Sequence, residues 1–150
     1  MPTKQLFLTL GFIALAQPAF AQTVTETDFV LTITKGDGSE VRESTTLIPL
    51  LAGACYNWWL KLGKTKGDVE VTEVFTLPSE PAGWGTVNDT MVVSEDNLTA
   101  TSTMSLTPDE QGWVTHGWCV ADGDPTGDHH ITVKAGDRVL GEFPFQVEDM

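Results

Sequence analysis

From Phe29 to Val147 the apolar residues recur at every second position. Phe29, Leu31 and Ile33 alternate with Val30, Thr32 and Thr34. Tyr56, Trp58, Leu60 and Leu62 share one parity, and Cys55, Asn57, Trp59 and Lys61 share the other, more polar one. Val69, Val71, Phe75 and Leu77 are again in phase. A period of two places successive side chains on opposite faces of an extended chain. After residue 22 no stretch carries the 3.6-residue period of a helix, so the pattern predicts an all-β protein.

Turn chemistry divides these runs at short intervals. Asp37-Gly38, Gly63 to Asp68, Asp96-Asn97, Asp122 to Gly127 and Gly136-Asp137 are each rich in the residues that accept positive φ or fix it. Strands are expected at 29–34, 40–48, 54–62, 69–77, 90–94, 98–106, 113–121, 129–134 and 139–147. Two prolines and two glycines in eight residues make 78–85 (PSEPAGWG) a loop. Short, evenly punctuated strands in this number predict an antiparallel β-sandwich of about eight strands in preference to a barrel.

The first twenty-one residues read differently. Lys4 is their only charge, Leu6 to Ala16 is an apolar core of eleven residues, and Ala19-Phe20-Ala21 fits a small-x-small cleavage site. The core is too short to span a bilayer, so 1–21 is expected to be a cleaved signal peptide and 22–150 the domain. Without Lys4 the domain holds seven basic residues against twenty-one acidic ones, a net charge of −14. That balance disfavours nucleic acid and anionic membrane surfaces and suits basic partners or cations. A periplasmic or secreted location follows, with no membrane insertion after cleavage.

Cys55 and Cys119 are the two cysteines. An even count in an exported chain predicts that they bond to each other. Both fall on the less apolar face of their strands, which places the bond off the centre of the sandwich. Neither belongs to a Cys-x-x-Cys pair or a Cys/His cluster at metal-ligand spacing.

The closing block carries a resemblance. Trp118, then Asp124-Pro125-x-Gly127-x-His129-x-Ile131-x-Val133, then Phe143-x-Phe145-x-Val147 resembles the ending of immunoglobulin-like sandwiches in exported bacterial proteins. Leu47-Ile48-Pro49, the aromatic strand led by Gly53 and the proline loop resemble, more loosely, exported families of unknown function. The resemblance implies an immunoglobulin-like sandwich and no activity. His129 stands where that pattern usually has a tyrosine, and Ile131 where an antibody domain has its second cysteine.

Few residues are marked for chemistry. Asp122, Asp124 and Asp128 have the oxygen spacing of the first half of a calcium loop, but Val133 stands where the closing glutamate belongs and Pro125 lies inside. A plain turn is the expectation there. His116, His129 and His130 with Met91 and Met104 suggest a copper site, yet adjacent His129 and His130 face opposite sides of a strand. No Gly-x-Ser-x-Gly elbow is present. The sequons at Asn88 and Asn97 bear only on a eukaryotic secretory route. Of five tryptophans, Trp58 and Trp59 point to opposite faces, as do Trp113 and Trp118. Trp84, Trp59 and Trp113 are therefore the candidate binding residues, with Trp84 either a lid on the sandwich or part of a partner surface. The expectation is an exported, non-enzymatic binding or accessory module without cofactor, directed at a protein partner, with an inhibitor-like role toward a basic hydrolase as one version of it. A carbohydrate-binding module using exposed tryptophans is the alternative.

Overall fold

The computed structural model describes residues 22–85 and 90–150. The expected signal peptide and the sequon at Asn88 lie outside the described residues.

Among the described residues, ten strands form two sheets packed face to face. In chain order they are β1 (Val24–Thr34), β2 (Glu40–Ser44), β3 (Leu47–Pro49), β4 (Ala54–Leu62), β5 (Val69–Thr76), β6 (Met91–Val93), β7 (Thr99–Leu106), β8 (Trp113–Cys119), β9 (Gly127–Ala135) and β10 (Arg138–Glu148). The smaller sheet runs β2-β1-β4-β8 and the larger β3-β10-β9-β5-β7-β6. All pairs are antiparallel except β3 with β10.

The expected strand at 40–48 is in fact two. β2 pairs with β1 in the small sheet, whereas β3 pairs with β10 in the large one. The chain changes sheets at Thr45-Thr46, where the Thr45 N–H donates to the Phe29 carbonyl and the Gln146 N–H donates to the Thr46 carbonyl. The composition explains the break. β2 (EVRES) is exposed throughout and needs no partner layer, but Ile48 is buried and must reach the core. This switch turns the nine expected runs into ten strands.

The parity read from the sequence is the parity of burial. β4 alternates buried and half-buried along its whole length, with Ala54, Tyr56, Trp58, Leu60 and Leu62 inward. Phe29 from the neighbouring β1, and Phe75, Ile131, Val133, Phe143 and Phe145 from the facing sheet, complete the core. Each of the rings of Phe29, Tyr56, Phe75 and Phe145 lies 4.8–6.3 Å, centroid to centroid, from at least two of the others, the spacing at which aromatic pairs attract beyond their area.

Cys55 and Cys119 form a disulfide. They are direct partners in the β4–β8 register, so the bond joins neighbouring strands of one sheet on its outer face. It does not cross between sheets as in an antibody domain. Thiol titration of the denatured, unreduced protein is expected to find no free sulfhydryl. Reduction should lower stability by up to about 4 kcal/mol, the loop-closure value for a separation of 64 residues, measurable as a shift in a denaturant midpoint.

Candidate functional site

β5 reads VEVTEVFT, and its inward positions are Val69, Val71, Glu73 and Phe75. Glu73 is thus a carboxyl group on the core face, 1% exposed. Such a group is costly to bury unless its oxygens are hydrogen-bonded. Three side chains from the opposite sheet reach it. Trp58 of β4 donates its indole N–H to Oε2. Trp118 of β8 donates its indole N–H to Oε1 at 2.8 Å. His116, two residues before Trp118, places Nδ1 at 3.0 Å from Oε2. An indole N–H can only donate, so both oxygens serve as acceptors, and His116 contributes the third N–H. Glu73 was not singled out in the sequence, although it interrupts the apolar parity of β5 and that interruption was legible.

Two openings flank this cluster, one on each side of Trp118. The first lies at the end of the sandwich beneath the proline loop. It is a cleft of about 250 Å³ walled by Tyr56, Phe75, Trp84, Trp118, Asp124 and His129. Trp84 is half-buried, and its N–H donates to both the carbonyl and the side-chain oxygen of Asn97 at 3.1 Å. Asn97 holds a positive φ of 61° in the turn between β6 and β7, a conformation asparagine tolerates. The Trp84 ring meets Phe75 and Trp118 edge to face at 5.7 and 6.1 Å. Among the loop residues 78–85, Pro81 is buried while Ser79, Glu80, Ala82 and Gly83 are exposed. The Ala82 N–H donates to the Gly123 carbonyl. A side chain at Gly123, which has a φ of 87°, would stand 2.4 Å from the Ala82 Cβ, so glycine is what lets this turn close on the loop.

The second opening is a groove of about 360 Å³ between the edge of the small sheet and the overhanging strands of the large one. His116 and Trp118 of β8 form one wall, and Met91, Ser102, Met104 and Leu106 of β6 and β7 form the other. Of the residues considered for copper, His116, Met91 and Met104 meet here. His129 is buried at the sandwich end, where its Nδ1 donates to the Gly127 carbonyl at 2.9 Å. His130 lies on the opposite face of β9, with Nδ1 3.4 Å from the Thr132 hydroxyl.

The remaining candidates are dispersed. Trp59 and Trp113 sit on the outer face of the small sheet and meet edge to face at 6.2 Å, with Lys61 Nζ 5.6 Å from the Trp113 ring centre. The Trp59 N–H has no hydrogen-bond acceptor and is shielded from solvent, in keeping with its contact with an aromatic neighbour. Asp124 accepts from the Ala121 N–H at 2.8 Å, and Asp128 accepts from the Gln146 amide at 2.7 Å. Asp122 is exposed. Among the described residues no three His, Cys, Asp or Glu side chains converge at metal-binding range.

Burial holds the His129 imidazole below its usual range, opposed by the Gly127 carbonyl and by Asp124 and Asp128. Burial, with Asp124 and Glu73 nearby, pushes the Tyr56 phenol up, so it stays protonated. Because the native pKa of His129 is depressed, the unfolded chain takes up its proton first as pH falls. Stability is then complete above the ordinary histidine range and declines as pH drops through it. A His129→Phe variant should show a shallower fall of melting temperature between about pH 7 and 5 than the parent chain. Glu73→Ala leaves two indole donors without an acceptor, and should cost about 3 kcal/mol or more by denaturant melt.

The solved structures most similar to this chain include an immunoglobulin-like protein of Pseudomonas aeruginosa, at 16% identity and a TM-score of 0.54, covering 88% of this chain and 100% of that one. At this identity the likeness establishes an immunoglobulin-like fold and nothing further. An alkylpurine DNA glycosylase of Pseudomonas fluorescens, solved on DNA containing an abasic-site analogue, aligns at 13% identity and a TM-score of 0.37, over 82% of this chain and 30% of that one. Curated proteins yield no match. The model of one family, described as the PM0630 beta sandwich domain, matches residues 27–148, and this chain, with its two sheets and their core, belongs to that family.

Proposed function

We propose that this chain is an exported, non-enzymatic binding module that receives a side chain of a protein partner in the cleft beneath the proline loop. The observation that carries the reading is the convergence of four aromatic rings, Tyr56, Phe75, Trp84 and Trp118, around an open cleft with Asp124 and His129 in its wall. A few polar groups in an aromatic concavity are the usual makeup of a recognition site. The volume of about 250 Å³ falls below the ~300–1,000 Å³ of small-molecule pockets and suits a single inserted residue. The loop that forms the rim is braced by Pro81 and by the Trp84–Asn97 bonds, which limits the entropy lost on binding.

The disulfide suggests an oxidising location outside the cytoplasm. The leader-like sequence of 1–21 supports export to the periplasm or beyond. The strongly acidic balance favours a basic partner, an inhibitor-like role toward a basic hydrolase included. The carbohydrate reading has less support. A sugar platform calls for outward rings lying flat side by side, whereas Trp59 and Trp113 meet at 81°.

Gly83 offers a test that leaves the scaffold alone. It lines the cleft, and a Cβ there would meet nothing within 4 Å. Gly83→Gln should leave the melting temperature unchanged and abolish capture of the partner from an extracellular or periplasmic extract. Capture by the variant at parental level, or capture insensitive to salt, would refute the reading. Trp84→Ala should both loosen the fold, by about 3 kcal/mol, and lose capture, since the ring is at once lid and wall.

A further inference from the structure

We propose that the groove between β8 and the overhanging strands β6 and β7 binds a cuprous ion through His116, Met91 and Met104. The site is separate from the cleft under the proline loop and lies on the other side of Trp118.

The strand register assembles the ligands. Met91 is the direct partner of Ser102, and Ser102 in turn is the partner of Glu73. Glu73, Ser102 and Met91 therefore form a row across β5, β7 and β6 on the inward face. Met104 is two residues beyond Ser102 on that face, which makes the two methionines diagonal neighbours, a placement that lies within about 7–8 Å and within reach of long side chains. His116 enters from the opposite sheet, held over the row by its bond to Glu73. All three side chains line one groove.

The chemistry selects the metal. Two thioethers and one imidazole, with no carboxylate among the groove-lining residues, form a soft donor set of the kind that prefers Cu(I) to Zn(II), Ca(II) or Mg(II). Glu73 supplies what an ordinary packed histidine lacks. A carboxylate bonded to one ring nitrogen fixes the tautomer, orients the ring and leaves the other nitrogen, here Nε2, as the basic one available to a metal. The carboxylate is itself immobilised by two indoles, so the imidazole is held in place before any ion arrives. The His116 side chain is 37% exposed, so an ion has access from solvent. Neither the ion nor the disulfide changes oxidation state on binding.

The test uses the purified protein, with its disulfide intact, titrated anaerobically against Cu(I) held by a chromophoric chelator. The wild-type chain should withdraw one Cu(I) per molecule, and X-ray absorption should show mixed sulfur and nitrogen coordination. The double variant Met91→Leu, Met104→Leu keeps the side-chain volumes and should fold, yet withdraw none. His116→Gln should also lose binding. Glu73→Gln, provided its melt shows it folded, should weaken Cu(I) by about 10–100-fold while keeping the sulfur signature, because Glu73 positions a ligand without touching the ion. Failure of the wild-type chain to withdraw Cu(I), or equal withdrawal by the methionine double variant, overturns the proposal and leaves the methionines as packing at the sheet edge. Zn(II) bound as tightly as Cu(I) would overturn it as well. Loss of partner capture in Gly83→Gln has no bearing on this titration, so the two sites can fail independently.

Discussion

A carboxyl group shut between two β-sheets is tolerable only if nearly every lone pair it took out of water meets a hydrogen-bond donor. Glu73 meets that condition with donors from both neighbouring strands of the opposite sheet, the indoles of Trp58 and Trp118 and the imidazole of His116. Hydrophobic contact alone would allow the sheets to slide, because apolar faces are forgiving of small shifts. Bonds to one carboxylate have a direction, and they fix β4 and β8 over β5 in a single register. The aromatic core can then pack in one way.

The same bonds account for both openings. Trp118 is drawn inward at the end of β8 and becomes the partition between the cleft and the groove. On one side its ring meets Phe75 and Trp84, which closes the sandwich end under the proline loop. On the other side β8 is the last strand of a four-stranded sheet, while the sheet below continues through β7 and β6. That difference in width leaves inward-facing residues of β6 and β7 without a full cover, and Met91, Met104 and Leu106 line the resulting depression.

Much of this was legible in the sequence, and the exceptions have physical causes. Alternation at 54–62, 69–77 and 113–121 gave the inward faces correctly, including the opposed directions of Trp58 and Trp59 and of Trp113 and Trp118. Cysteine parity placed the disulfide on an outer face, but only the register shows that Cys55 and Cys119 face each other across adjacent strands. The sheet change at Thr45-Thr46 is hidden in the sequence because no glycine or proline marks the bend there. Glu73 does not stand out in the sequence because it shares its parity with four apolar residues that dominate the pattern. The partner of Trp84 was not legible either. Asn97 is thirteen residues away on another turn, and its positive φ is imposed by that turn. His116 needed the fold most of all, since its carboxylate partner lies 43 residues earlier in the chain.

The unequal widths of the two sheets have a further consequence for β8. An edge strand presents backbone groups to which an incoming segment can add as one more strand. A segment that extended the small sheet beyond β8 would lie over the inward face of β7 and β6 and roof the groove. His116 would then be sealed beneath it. Strand addition at this edge would therefore close the groove to solvent, and an ion would have to enter before the strand is added.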